Sequence, residues 1–124
     1  EIPSGADVQF LGFVGDDDLR ALYAAADVFC YPSLREGFGL PVLEAMAQGV
    51  PVVTSVGTST EEAAGGAAVL VDPLDVDDIA RGVSEALHDA HRLSIAGRAR
   101  AATATWQHTA ALTVQAYRDV SVAS

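Results

Sequence analysis

Short apolar runs alternate with longer amphipathic stretches along the chain. Val8-Gln9-Phe10-Leu11 reads as a strand that stops at Gly12. Leu19, Leu22, Tyr23 and Ala26 then fall on one helix face. Asp16, Asp17 and Asp18 stand where acids cap a helix and suit the positive end of its dipole, and Asp27 marks its end. Val28 to Tyr31 is nearly all apolar and predicts a strand buried on both faces. A loop of Pro32 to Gly39 leads to a helix over Leu40 to Gln48, with Pro41 in its first turn and Gly49 as its stop. Pro51-Val52-Val53-Thr54 and Ala68-Val69-Leu70-Val71 predict two more strands, separated by a helical turn at Glu61 to Ala64. Helix resumes near Val76 and runs to His88, with Ile79, Val83 and Leu87 on one face. Two further helices cover 90–103 and 109–120. Four alternations of strand and helix predict an α/β fold, a Rossmann-like parallel sheet with helices on both faces. Ligands of such sheets bind in loops at the C-terminal ends of strands, which is where residues 32–39 fall.

Composition narrows the classes of partner. At 124 residues, half of them hydrophobic, the chain is one domain or part of one. Its net charge is −10, with seven arginines and no lysine. No cations cluster, so neither nucleic acid nor an anionic membrane surface finds a footing. An anionic ligand would depend on backbone N–H groups and helix N-termini. The single cysteine, Cys30, predicts a buried strand residue in a reducing, cytoplasmic setting. No apolar run reaches membrane-spanning length, so the chain is read as not transmembrane. Abundant alanine and absent asparagine hint at a GC-rich bacterial genome. The loop-like opening from Glu1 to Gly5 reads as the start of a segment cut from a longer protein.

The chemistry concentrates in Pro32-Ser33-Leu34-Arg35-Glu36-Gly37-Phe38-Gly39-Leu40-Pro41-Val42-Leu43-Glu44-Ala45. Gly37 and Gly39 let backbone approach a ligand closely. The first N–H groups of the following helix are unpaired and form a nest for phosphate. Glu36 and Glu44 would repel a phosphate and suit neutral hydroxyls.

This run resembles the filled E-x7-E motif of retaining GT-B glycosyltransferases of family 4 (group 1), P-S-x-x-E-G-F-G-L-P-x-L-E-A. The resemblance extends upstream through Phe10-Leu11-Gly12-Phe13-Val14, Leu19 to Tyr23 and Asp27-Val28-Phe29. Downstream it takes in Gly49-Val50-Pro51-Val52-Val53 and Val71-Asp72-Pro73, with Trp106 and Tyr117 similar to the closing helix. It implies that residues 1–124 are a partial C-terminal nucleotide-sugar-binding domain, lacking the N-terminal acceptor domain. It implies that Glu36 is catalytic and holds the donor sugar, that Glu44 holds the ribose, and that amides around Gly37, Phe38, Gly39 and Leu40 hold sugar and phosphate. The implied reaction moves a hexose from a nucleotide diphosphate sugar with retained anomeric configuration and no cofactor or essential metal. The implied location is cytoplasmic, with peripheral membrane attachment open to the full-length enzyme.

The chain also departs from the family. The Arg and Lys pair that neutralises the departing diphosphate lies outside it, so the isolated segment is expected to be inactive. The loop from Thr58 to Glu62 runs a residue shorter than usual, which loosens the match at Glu62. An uncovered apolar sheet edge or helix face is expected, and with it a route to self-association.

Plainer readings compete at single residues. Asp16-Asp17-Asp18 contains D-x-D, a metal motif of another glycosyltransferase architecture, but its place before a helix favours capping. His88 and His91 lack a third ligand and read as solvated. Ser33 suits loop shaping rather than nucleophilic attack, Trp106 suits packing, and Arg35 suits either the site or its rim. Gly37-Phe38-Gly39 lacks the third glycine of a dinucleotide fingerprint. Two other functions remain beside the enzyme segment. One is a noncatalytic nucleotide-sugar-binding or partner subunit, the other a generic α/β interaction domain.

Overall fold

The computed structural model describes residues 4–35, 37–104 and 106–123, the side chains of 106–112 and 122–123 excepted. Its elements run α1 (Asp16–Ala25), β1 (Phe29–Tyr31), α2 (Leu40–Ala47), β2 (Val52–Ser55), α3 (Ser59–Ala64), β3 (Val69–Val71), α4 (Val76–His88), α5 (Ala90–Thr103) and α6 (Trp106–Ala123). The strands form a parallel sheet in the order β1-β2-β3. Phe29 sits opposite Val52, and Val53 opposite Val69.

β2 is the central strand, and all four of its residues are buried. Because side chains alternate, Val52 and Val53 face opposite layers. Val52 joins Tyr23 of α1, Val42, Ala45 and Met46 of α2, and Ala64 of α3. Val53 joins Val69, Val71, Ala86 of α4 and Leu93 of α5. Burying each such valine stabilises the fold by about 1.5–3 kcal/mol relative to exposure. Helices thus cover both faces, as the patterning predicts.

Local chemistry explains the helix ends. The Asp75 carboxylate accepts from the amides of Asp77 and Asp78 at 3.0 and 3.2 Å and caps α4. Gly82 lets α4 settle on the sheet, since a Cβ there would overlap Val71. The C-termini of α2 and α3 are closed from α5. Arg98 donates to the carbonyl of Gln48 at 3.3 Å, and Arg100 to those of Ala63 and Glu62 at 2.8 and 3.2 Å. A guanidinium at a helix C-terminus satisfies orphan carbonyls and opposes the dipole.

Several expectations need correction. The described residues hold three strands, not four, because Val8 to Gly12 joins no ladder. A strand pattern becomes a strand only where a partner offers its backbone, and among the described residues β1 pairs with β2 alone. Phe10 and Phe13 are 86% and 98% exposed, and Leu11 is exposed beside them. The exposed apolar residues here lie on a segment outside helix and strand, not on the sheet edge or helix face expected from the sequence. Cys30 is exposed, not buried, because β1 is an edge strand with only Phe29 and Tyr31 half-buried. Leu87 is exposed while Ala86 is buried, so the inner stripe of α4 runs through Ile79, Val83 and Ala86. Asp16 to Asp18 occupy the first turn of α1, but Gly15 is the N-cap and no side chain makes a capping bond. They act through the dipole, and Asp17 also pairs with Arg20 at 3.9 Å. The packing role expected of Trp106 lies outside the described residues.

Candidate functional site

The loop from β1 to α2 leaves the sheet at the C-terminal end of β1. Its root is pinned by two hydroxyls of β2. Thr54 Oγ1 donates to the carbonyl of Tyr31 at 2.9 Å, and Ser55 Oγ to that of Ser33 at 2.5 Å. Both β2 residues are fully buried, and bonding to the loop satisfies them. Ser33 Oγ donates to the carbonyl of Arg35 at 2.9 Å, the loop-shaping role its sequence context suggests. Reading the sequence missed the Thr54 and Ser55 anchors. The available signal was a polar pair closing an otherwise apolar strand.

Gly39 ends the loop as N-cap of α2, at φ 78°. This left-handed conformation favours glycine. The residue is buried against α3, where a Cβ would stand 3.0 Å from Ala63 Cβ and 3.3 Å from Thr60 Cα. Thr60 is fully buried, with its hydroxyl 2.6 Å from that of Thr58, the N-cap of α3. Gly37, Phe38 and Leu40 are exposed around this turn. Among the described residues, no acceptor takes the amides of Gly37, Phe38, Gly39 or Leu40. Glu36 lies outside the described residues.

Glu44 projects from α2 one turn beyond Leu40 and is exposed. It borders two hollows. One, of about 320 Å³, lies between α1 and α2 and is lined also by Asp16, Arg20 and Tyr23. The other, of about 480 Å³, is apolar and is bounded by Phe38, Leu40, Leu43 and the end of α5. The apolar hollow thus brings Phe38 and Leu40 of the turn beside Glu44, whereas the α1–α2 hollow is lined by residues of those two helices and the α2 C-cap. Tyr23 directs its hydroxyl at Glu44 Oε2 across 3.5 Å. Burial raises the Tyr23 phenol above its ordinary value, and the charge and hydrogen bond of Glu44 raise it further.

Arg35 is exposed, and its guanidinium pairs with no described residue. Arg81, Arg98 and Arg100 are engaged in the scaffold. His88 and His91 are exposed and belong to different helices. Among the described residues no group of three His, Cys, Asp or Glu is placed to hold a metal. No helix there is long and apolar enough to cross a membrane.

Comparison with known proteins gives a consistent answer. The family model described as glycosyl transferases group 1 matches residues 3–102. The chain is 46% identical over 114 residues to the O-antigen chain mannosyltransferase B of Escherichia coli, covering 90% of this chain and 30% of that protein. Among solved structures it resembles sucrose-phosphate synthase from Thermosynechococcus elongatus with a TM-score of 0.76 and 34% identity, covering 94% of this chain and 31% of that one. Anabaena HepE, solved in complex with UDP and glucose, follows at a TM-score of 0.69 and 25% identity, covering 92% of this chain and 32% of that one. The chain thus spans about a third of the length of each of these three proteins.

Proposed function

Because the chain belongs to the glycosyl transferases group 1 family and has the α/β architecture of GT-B glycosyltransferases, we propose that it is the donor-binding segment of a retaining, family 4 enzyme. The full-length enzyme takes a hexose from a nucleotide diphosphate sugar and passes it to an acceptor held by another domain. In this reading Glu36 is catalytic and holds the sugar, Glu44 holds the ribose, and the amides of Gly37, Phe38, Gly39 and Leu40 receive sugar and phosphate. The supporting observation is the meeting of Phe38 and Leu40 of that amide-rich turn with Glu44 around the apolar hollow. No metal is essential in this reading, so transfer by the full-length enzyme survives chelation. The enzyme works in the cytoplasm, bound peripherally to the membrane or free of it.

Stabilising the departing diphosphate is the main demand of such a transfer. The cations suited to that task, and the acceptor domain, are placed outside this chain. The segment alone therefore binds donor without transferring it, and turnover by the segment with any acceptor would overturn that part of the reading. Exposed Phe10, Leu11 and Phe13 favour self-association of the segment. A sedimentation profile that stays monomeric at high concentration would count against this.

Calorimetric titration of the full-length enzyme tests the two glutamates. A hydrogen bond to a charged group is worth roughly 1.5–3 kcal/mol, or about one to two orders of magnitude in affinity. Glu44→Gln weakens nucleoside diphosphate and nucleotide sugar alike, since both contain the ribose. Glu36→Gln weakens the nucleotide sugar more. Equal losses for both ligands at Glu36 would show the roles to be wrongly assigned. A transfer assay on the full-length protein separates the enzyme reading from a noncatalytic sugar-nucleotide sensor, which would bind donor in the titration yet never turn it over.

A further inference from the structure

Tyr23 is the one buried residue of α1, only 7% exposed, and its polar end reaches the wall of the α1–α2 hollow. Its ring meets Phe29 edge-on at a centroid distance of 5.1 Å, and Phe29 in turn stacks on Tyr31 at 5.6 Å. This aromatic file ties α1 to the edge strand from which the loop departs. The ring's packing leaves its hydroxyl facing Glu44 Oε2 at 3.5 Å. Glu44 is exposed, and among the described residues Tyr23 is its one side-chain hydrogen-bond partner. A long exposed carboxylate with no partner samples several rotamers, and ordering it on binding costs conformational entropy.

We infer that Tyr23 is a positioning residue: its hydroxyl holds Glu44 turned into the α1–α2 hollow, ready to receive a ribose diol. The inference rests on Glu44 being the ribose ligand, as proposed above. The chemistry is complementary. A carboxylate is an acceptor with about four lone-pair sites, so one bond from Tyr23 leaves room for two ribose hydroxyls. The donor must be protonated, and both the burial of Tyr23 and the charge of Glu44 favour the neutral phenol. Packing and polar function are separable here, because phenylalanine retains the ring against Phe29 and removes only the hydroxyl.

The experiment is a double-mutant cycle on the full-length enzyme, with UDP, GDP and ADP as probes and the 2′,3′-dideoxy form of whichever binds as control. Tyr23→Phe is expected to weaken the ribonucleotide about three- to tenfold. It should leave the dideoxynucleotide unaffected and add nothing in a Glu44→Gln background. A purely structural Tyr23 would weaken both nucleotides equally, or add its loss independently to that of Glu44→Gln. Either result, or no loss at all, overturns the inference while leaving the ribose role of Glu44 intact. If Glu44→Gln itself binds ribonucleotide and dideoxynucleotide with undiminished affinity, the parent reading falls and the inference with it. The same follows if none of the three nucleotides binds the unaltered enzyme.

Discussion

Replacing Gly39 by alanine probes how firmly the loop between β1 and α2 is seated on α3. Two penalties add. At φ 78° an L-residue occupies the left-handed region, at a cost of about 1 kcal/mol or more. The new methyl would also stand 3.0 Å from Ala63 Cβ and 3.3 Å from Thr60 Cα. Carbon atoms pack best at roughly 3.5–4.0 Å, so the first contact is about 0.5 Å short of that range and the second about 0.2 Å short. Neither neighbour yields easily, since Thr60 and Ala63 are buried and one contact is with backbone. Overpacking costs about 1–3 kcal/mol, and a single methyl belongs at the lower end. The expected total is about 2–3 kcal/mol. Gly57→Ala is the matched control, with φ 75° and no atom within 4 Å of a new Cβ. It should show the backbone penalty alone, about 1 kcal/mol. Urea denaturation of both variants isolates the contact as the difference between them. Equal losses at the two glycines would refute the close approach of loop and helix, and no loss at either would refute the left-handed turns.

Three other changes test the scaffold. Gly82→Ala gains about 1 kcal/mol of helix propensity but overpacks Val71 and Val53 by about 1–3 kcal/mol. A lowered urea midpoint is expected, and a raised one would mean that α4 stands further from the sheet. Arg100→Met leaves the carbonyls of Ala63 and Glu62 without their donor and should cost about 1–2 kcal/mol. Arg98→Met, which removes one exposed bond of 3.3 Å, should cost less by the same assay, and the reverse order would contradict the geometry. Asp78 is held below the ordinary carboxylate range, first by its hydrogen bond from Arg81 and then by the amide of Asp72. Its folded value is depressed, so its stabilisation is present above about pH 4. It is lost as pH falls through the lower folded value. Asp78→Asn should therefore flatten the acid limb of a stability–pH curve, and an unchanged limb would rule this linkage out.

Legibility in the sequence followed the range of the interactions involved. The helix α2 was readable because its start and stop are local, Pro41 in its first turn and Gly49 at φ 78° after its last, and α4 because its apolar spacing is local. The motif around Glu44 was readable because a short run of residues contains it. Val8 to Leu11 has the same local pattern as β1, yet pairing depends on a distant partner that no pattern encodes. Cys30 failed for a related reason, since its burial depends on what lies outside an edge strand. The contact between Tyr23 and Glu44 joins two helices across 21 positions. Helix periodicity places Tyr23 on the inner face of α1 but cannot show which carboxylate meets its hydroxyl.

The sheet order has a consequence for how the domain assembles. Strands pair in the order in which they are synthesised, so neither ladder skips over an intervening strand. Phe29 meets Val52 and Val53 meets Val69, chain separations of 23 and 16 residues. The entropic difference between closing these two loops is only about 0.3 kcal/mol. Neither pairing has a marked head start, and β2 is common to both. It is therefore the natural folding nucleus, able to recruit β1 with α2 or β3 with α3 first. Truncating Val52 or Val53 should then slow refolding more than it speeds unfolding, whereas truncating Leu93 on α5 should mainly speed unfolding.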